Sequence, residues 1–395
     1  MFYTMPCFTL DELTEQLSPI RKYNPVFGQL KTEILDAWKR ALTRDTKNYN
    51  LRRIDVRDDE DSLVFAGTGN SAWVVIPTPL STSYTSLPRR TGGGIRLNLG
   101  GTKLHIDPGP QAIANTESLL GSVIPTDGIV VTHVHLDNAS ETFPLIYSAA
   151  AGGSLRKTLV EEHLRRSLPV LVSNKTFMDD FNAGTSQRAF YESMLSRRET
   201  LQPGESVTIN GIKITATPAV HNETPNISET IGLLIEYEGI RIGYTGNTAL
   251  FKTAPVKEWE RARDISARVG PIEKQLETYN HIIEAYEGVD ILIAEMGSVT
   301  LNHDSIKPSQ FLRADGIYVL AKAVKPKMLF ISEVAPESDL LVPIDDEVRM
   351  IAHGDVTYRD SQKGEVSFAE VVSRTIENAL EVPTVLTYDG MVFKI

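Results

Sequence analysis

The stretch DGIVVTHVHLDNAS, residues 127–140, joins an apolar run to a cluster of polar side chains. The run Ile129–Val131 is short and β-branched, which is typical of a buried strand. His133, His135 and Asp137 follow it at alternate positions. Because alternate side chains on an extended backbone point to the same side, we expect two imidazoles and a carboxylate to converge where the strand ends. Such a set suits a divalent metal, although two neighbouring histidines can also be ordinary core or surface residues.

The composition is that of a globular protein: 41% of the 395 residues are hydrophobic and 23% are charged. Cys7 is the only cysteine, which excludes an intramolecular disulfide and any metal site built from several thiolates. No apolar run approaches the roughly 20 residues that cross a bilayer, and the N-terminus does not have the pattern of a signal peptide. We therefore predict a cytoplasmic protein that does not bind membranes.

The net charge of −11 bears on the partners of the protein. It disfavours a broad basic surface that follows the phosphates of a nucleic acid, so nucleic acid is a less favoured partner. Local basic patches keep nucleic-acid binding as an alternative. Arginine pairs such as Arg89-Arg90 could meet an anionic substrate, while solvated surface charge is the more frequent explanation. A small anionic substrate is therefore the favoured partner. A homodimer is an open alternative to a monomer.

The hydrophobic pattern divides the chain in two. Residues 1–60 are predicted to form an N-terminal helical extension, and residues 61–395 alternate between strand-like pairs and helical stretches. The alternation favours an α/β or α+β fold in which helices cover strands. Within it, Asn210-Gly211 is a strong hairpin signal, and the second strand of that hairpin ends at Pro218, shortly before His221.

Candidate ligands follow several of the predicted strands. Three imidazoles, those of His133, His135 and His221, are enough for a tetrahedral metal such as zinc whose fourth position is open to water. A metal of this kind makes hydroxide available near neutral pH for attack on a carbonyl or phosphoryl centre. Asn247 and Glu333 also lie at predicted strand ends.

The ordered set of motifs resembles the metallo-β-lactamase-fold hydrolase superfamily over about residues 62–395. The matching pieces are Asp107-Pro108-Gly109, the His133–Asp137 segment, His221, Thr245-Gly246-Asn247 and Ser332-Glu333. The resemblance implies a four-layer αββα sandwich, usually with two metals. Gly67-Thr68-Gly69 and His303 are similar to features of the ribonuclease Z and phosphodiesterase branch, and this resemblance implies that His303 protonates the leaving oxygen. His303 is equally well explained as an ordinary loop histidine.

The chain departs from the family pattern at three positions. Asn138 stands where the family has a histidine, Asn247 where it has a bridging aspartate, and Glu333 where it has a late histidine. All three changes fall on the second metal site. Losing the bridging carboxylate should weaken the binding of a second cation. The remaining donors, Asp137, Asn138, Asn247 and Glu333, bind through oxygen, which suits Mn²⁺ or Mg²⁺ better than zinc. Asp137 is equally well explained as a residue that orients a histidine ligand.

These patterns predict a metal-dependent hydrolase, with a phosphodiesterase that uses a metal-bound hydroxide as the first hypothesis. In that hypothesis, Asp137 and His303 are the catalytic residues beside the metal ligands. Two alternatives stay open. One is a non-catalytic sensor or scaffold with a degenerate site, and the other is a lactone or thioester hydrolase, because the same hydroxide can attack a carbonyl carbon.

Overall fold

The structure is a computed structural model of the chain. It describes residues 60–69, 90–92, 94–120, 126–159, 168–184, 186–221, 229–250, 272–297, 311–335, 341–343, 348–351, 355–358 and 365–395. The predicted extension over residues 1–60 lies almost entirely outside this part, which begins at Glu60, so that boundary stays a prediction.

The described elements alternate between strands and helices. In chain order the strands are β1 (Ser62–Phe65), β2 (Ile95–Leu99), β3 (Thr102–Ile106), β4 (Gly128–Val131), β5 (Val170–Ser173), β6 (Arg197–Thr200), β7 (Ser206–Ile209), β8 (Ile212–Pro218), β9 (Ile231–Tyr237), β10 (Ile240–Tyr244), β11 (Ile291–Gly297), β12 (Met328–Val334), β13 (Leu341–Pro343), β14 (Val348–Ile351), β15 (Asp355–Tyr358), β16 (Glu365–Ser367), β17 (Thr384–Leu386) and β18 (Met391–Lys394). The helices are α1 (Ala112–Leu120), α2 (Leu136–Ala139), α3 (Thr142–Leu159), α4 (Lys175–Ala183), α5 (Ser186–Glu192), α6 (Ile272–Ala285), α7 (Arg313–Val324) and α8 (Phe368–Leu380).

These elements form two compact units. The first contains the described residues up to Ser173, together with Phe177–Thr200 and Tyr388–Ile395, and the second contains Asn174–Thr176 and Leu201–Thr387. Residues 61–395, predicted as one domain, therefore contribute to both units.

The first unit is built on a seven-stranded mixed sheet in the order β18-β1-β2-β3-β4-β5-β6. Strands β1, β2 and β3 form an antiparallel meander with β18 at its edge, and β4, β5 and β6 are added in parallel. Parallel neighbours need a crossover, which α1 to α5 provide. On β4, Ile129 and Val131 are buried against Leu145 of α3 and Phe177 of α4, which fixes the strand that leads to the histidines.

The second unit follows the same plan. Its seven-stranded sheet has the order β17-β12-β11-β10-β9-β8-β7, with an antiparallel meander from β7 to β10 and parallel strands β11, β12 and β17. The predicted Asn210-Gly211 turn is confirmed, because both residues adopt the positive φ angles, 47° and 89°, that a tight hairpin requires. Smaller two-stranded ribbons pair β13 with β16 and β14 with β15.

The two sheets with their helices confirm the predicted α+β class. In each sheet the parallel strands end at a common edge, so residues that follow β3 and β4, or β10, β11 and β12, are brought near each other within their own unit. None of the helices in the described part of the chain is long and apolar enough to cross a membrane.

A buried cross-strand pair in the first sheet should make folding sensitive to pH. His105 of β3 is fully buried opposite Arg96 of β2, and Arg96 Nη1 lies 2.8 Å from His105 Nε2. Arginine can only donate, so Nε2 accepts and the imidazole is neutral. Burial, and then the charge of Arg96, hold the pKa of His105 well below its usual value of 6.5.

Below about pH 6.5, His105 therefore binds a proton in the unfolded chain but not in the folded protein. We expect the free energy of unfolding to fall as the pH decreases below this value. On the same acidification, the free energy of unfolding of His105→Gln should fall less than that of the wild type. Urea unfolding at several pH values measures the difference. His281→Gln, on the exposed surface of α6, is the control that should follow the wild type. Equal acid sensitivity in the wild type and in His105→Gln would contradict the prediction.

Candidate metal centre

The loop after β4 carries the first two histidines. β4 ends at Val131, residues 133–135 are irregular, and the short helix α2 begins at Leu136. The backbone N–H groups of Asn138 and Ala139 both donate to the carbonyl of His135, at 3.0 and 2.9 Å. The prediction that an extended backbone carries Asp137 is therefore wrong, because these bonds turn the chain into a helix before Asp137 is reached. The rings of His133 and His135 are 4.9 Å apart and nearly perpendicular.

A buried aspartate orients His133. Asp107, at the end of the neighbouring strand β3, accepts hydrogen bonds from the backbone N–H of Thr132 at 2.7 Å and from its hydroxyl at 2.6 Å. The same hydroxyl oxygen is 3.1 Å from His133 Nδ1. Because its one proton goes to Asp107, the hydroxyl accepts from Nδ1–H, which leaves Nε2 of His133 as the ligand atom. The sequence indicated Asp107 only as part of a motif and gave it no role.

Glycines let three backbone segments meet beside these histidines. A Cβ atom at Gly109 would overlap the carbonyl oxygens of Asp137 and Gly92, and one at Gly92 would lie 2.9 Å from the Asp137 carbonyl oxygen. No side chain fits at Gly109 without moving a backbone. The turn Asp107-Pro108-Gly109 therefore supports α2 directly.

The third histidine follows β8. His221 is almost fully buried, and its segment is tied to the turn after β10 by two bonds: Val220 N–H donates to Thr248 Oγ1 at 2.9 Å, and Ala249 N–H donates to the Val220 carbonyl at 2.9 Å. The ring of Phe311 lies 5.4 Å from the imidazole of His221. The segment is thus fixed through both its backbone and its side chain.

The three histidines converge. One ligand nitrogen from each of His133, His135 and His221 lies within 4.8 Å of the others. In the described part of the chain, no other set of at least three histidine, cysteine, aspartate or glutamate side chains does so. The donor set fits a zinc-type cation, since all three ligands are imidazole nitrogens and Thr132 fixes which nitrogen of His133 is available.

The other predicted ligands are buried polar residues. Asp137 and Asn138 lie in α2, Asn247 in the turn after β10, and Glu333 in β12, each with 3% or less of its surface exposed. Glu333 has a positive φ of 49°, which is uncommon for a residue with a side chain. Asp137 and Glu333 do not belong to the three-histidine group. The ligand roles of all four stay predictions, and His303 lies outside the described residues.

A buried glutamate that the sequence reading missed holds the Asn247 turn. The Tyr244 hydroxyl donates to Glu295 Oε1, and Glu295 N–H donates to Thr245 Oγ1 at 3.1 Å. Thr245 N–H in turn donates to the carbonyl of Ile293 at 3.0 Å. Glu295 is fully buried, and its only signal in the sequence was a charge at the end of the apolar run 291–294.

The chain is similar in sequence to known proteins from two organisms. An uncharacterized protein of Methanocaldococcus jannaschii is 24% identical over 249 residues, which span 62% of this chain and 83% of the relative. A protein of Methanosphaerula palustris named UPF0173 metal-dependent hydrolase is 27% identical over 168 residues, 40% of this chain and 62% of that relative.

Solved structures show the fold. The metallo-β-lactamase fold protein YhfI from Bacillus subtilis superposes with a TM-score of 0.54 at 12% identity, covering 85% of this chain and 100% of YhfI. Zn²⁺-bound PqqB from Methylobacterium extorquens superposes with a TM-score of 0.51 at 12% identity, covering 85% of this chain and 100% of PqqB. The narrower resemblance to the ribonuclease Z branch stays a prediction.

The family model described as "Beta-lactamase superfamily domain" matches residues 102–314, from β3 to the start of α7. This span is more than half of the chain and includes all three converging histidines. Together with the fold, it confirms the family predicted from the sequence: the chain belongs to the β-lactamase superfamily.

Proposed function

We propose that the protein is a metal-dependent hydrolase in which His133, His135 and His221 hold one divalent cation, Zn²⁺ in the first place. The observation that carries the proposal is the convergence of these three imidazoles. A cation held in this way supplies Lewis-acid activation of water and of a phosphoryl or carbonyl oxygen. The name of the Methanosphaerula palustris relative, a metal-dependent hydrolase, supports the same class of reaction.

The chain's own residues prepare the site for such a cation. Asp107 accepts from Thr132, and Thr132 keeps the Nδ1 proton of His133 directed away from the ligand position. Glu295 and Tyr244 hold the turn that carries Asn247. A site whose ligands are oriented before the cation arrives binds it with less loss of conformational freedom.

The finer proposal is a phosphodiesterase that acts on a small anionic substrate. Its support is the motif resemblance, together with four buried oxygen-bearing side chains: Asp137, Asn138, Asn247 and Glu333. We propose that these side chains take part in a weaker second site for Mn²⁺ or Mg²⁺, and that His303 protonates the leaving oxygen. Asn138 and Asn247 are both neutral amides, and Asn247 offsets less of the repulsion between two cations than the usual bridging aspartate would.

The same neutral amides also favour a second candidate, a non-catalytic sensor or scaffold that keeps only one cation. Assays of bis-p-nitrophenyl phosphate, a lactone and a thioester, each with added Zn²⁺ or Mn²⁺, separate the candidates. A phosphodiesterase should hydrolyse the first compound, and the variant His221→Ala should lose that turnover. Selective turnover of the lactone or the thioester would assign a carbonyl substrate instead. Zinc binding with no turnover of any compound would favour the sensor.

A further inference from the structure

Asp389, six residues before the end of the chain, joins two loops of the first unit. The residue keeps some exposed surface, but its carboxylate is enclosed by four donors. Oδ1 accepts from the N–H and the hydroxyl of Thr68 at 2.9 and 2.7 Å, and Oδ2 accepts from the N–H and the hydroxyl of Thr91 at 2.7 and 2.8 Å. Each oxygen thus binds one loop through two hydrogen bonds.

Further polar groups fix the direction of these hydrogen bonds. Arg90 Nη1 donates to Thr68 Oγ1 at 2.8 Å, and Asn115 Nδ2 donates to Thr91 Oγ1 at 2.7 Å. Both hydroxyls therefore accept one bond and give their proton to Asp389. Arg90 is 2% exposed, and its guanidinium lies 4.4 Å from the centre of the Tyr388 ring. Both explanations that the sequence suggested for Arg90, a solvated surface charge and a contact to an anionic substrate, are therefore wrong.

One of the two loops leads straight to the metal-binding segment. Thr91 is followed by Gly92, whose backbone packs so closely on the carbonyl of Asp137 that a Cβ atom would lie 2.9 Å from that oxygen. Asp137 is in α2, two residues after His135. The path from the Asp389 carboxylate to the ligand segment therefore consists of Thr91, the Gly92 backbone and the Asp137 backbone.

We propose that Asp389 is a positioning residue for the metal centre. Asp389 holds the loop 90–92 against α2 and thereby fixes the positions of His133 and His135. The inference rests on the proposed function, because it needs these histidines to bind a cation. Its support is the arrangement of four donors on one carboxylate, together with the close packing of the Gly92 backbone on the Asp137 carbonyl.

The charge state of Asp389 agrees with this role. Burial raises its pKa to about 6, while the bonds from Thr68 and Thr91 and the charge of Arg90 oppose a larger rise. At neutral pH the carboxylate is therefore mostly ionised, and both of its oxygens can accept. Asparagine at this position has one acceptor oxygen instead of two. The N–H and the hydroxyl of one threonine would therefore lose the oxygen that accepts their hydrogen bonds.

Two variants and two matched controls test the proposal in the full-length protein. Asp389→Asn and Thr91→Val each remove some of the hydrogen bonds between Asp389 and the two loops, whereas Thr91→Ser keeps the hydroxyl that donates to Asp389. Lys394→Met removes the ion pair of Lys394 Nζ with Glu60 Oε2, which is 2.6 Å long. Lys394 lies in β18, the strand that follows Asp389, and is away from the loop. The measurements are the Zn²⁺ dissociation constant from chelator competition, the visible absorption spectrum of the Co²⁺ form, and thermal unfolding of the metal-free protein.

We expect Asp389→Asn and Thr91→Val to weaken Zn²⁺ binding about tenfold, as the loss of outer-shell partners does in other metal sites, and to change the Co²⁺ spectrum. Thr91→Ser and Lys394→Met should leave both readouts at the wild-type values. If Asp389→Asn does not fold, Thr91→Val carries the test.

Lower thermal stability in both test variants, with unchanged affinity and spectrum, would overturn the positioning role and leave a structural contact. If the wild type itself binds neither Zn²⁺ nor Co²⁺, the proposed function fails, and this proposal fails with it. The wild-type measurement therefore distinguishes the two failures.

Discussion

Replacing His135 with alanine is expected to lower the affinity of the protein for Zn²⁺ by about 60- to 700-fold. Structural zinc sites with four ligands bind with about 10–16 kcal/mol, so one ligand in such a site accounts for roughly 2.5–4 kcal/mol, and a loss of 1.4 kcal/mol corresponds to a factor of ten. His135 is the best of the three ligands for this test because its ring is half-buried, whereas His133 and His221 are almost fully enclosed. Its removal should therefore disturb the core least.

The measurement is competition with a chromogenic chelator, supported by the metal content of the purified protein. His281→Ala is the matched control, because it also removes one imidazole but from the exposed side of α6. It should bind Zn²⁺ like the wild type. Unchanged affinity in His135→Ala would mean that the three imidazoles do not share an ion, and the proposed function would then lose its main support.

The three histidines that converge in the structure could be picked out from the sequence because the necessary signals are local. The strand before His133, the hairpin before His221 and the spacing of the histidines all follow from short-range patterns of apolar, turn and polar residues.

The orientation of Asp137 could not be predicted in the same way. The alternation of side chains holds only while the backbone stays extended, and the carbonyl of His135 ends the extension by accepting two N–H groups. A four-residue helix such as α2 has too few residues for a helical hydrophobic period to show in the sequence.

The residues that orient the site were missed for a different reason. Asp389 bonds to Thr68 across 321 positions and to Thr91 across 298, and Glu295 bonds to Tyr244 across 51. No short-range pattern links partners at such separations. A buried charge at the end of an apolar strand, as at Glu295, indicates that a polar partner exists but does not say which residue it is.

Gly109→Ala is expected to lower the free energy of unfolding of the first unit by about 3–5 kcal/mol. The added Cβ would overlap two carbonyl oxygens, those of Asp137 and Gly92, which belong to different segments. A flexible side chain could rotate away, but these are backbone atoms in closely packed turns. Relief therefore requires α2 or the loop 90–92 to move, and either movement shifts the segment that carries His133 and His135.

Thermal unfolding of the metal-free protein should show a fall in midpoint of about 10 °C, given the usual 2–4 °C per kcal/mol for units of this size. The fraction that stays folded should bind Zn²⁺ about 10- to 100-fold more weakly, because the ligand segment has lost its support. Gly184→Ala is the matched control, since a Cβ there would meet its nearest atom, the Phe181 carbonyl oxygen, at an ordinary 3.5 Å. If Gly109→Ala unfolds and binds Zn²⁺ like Gly184→Ala, the turn after β3 does not support α2.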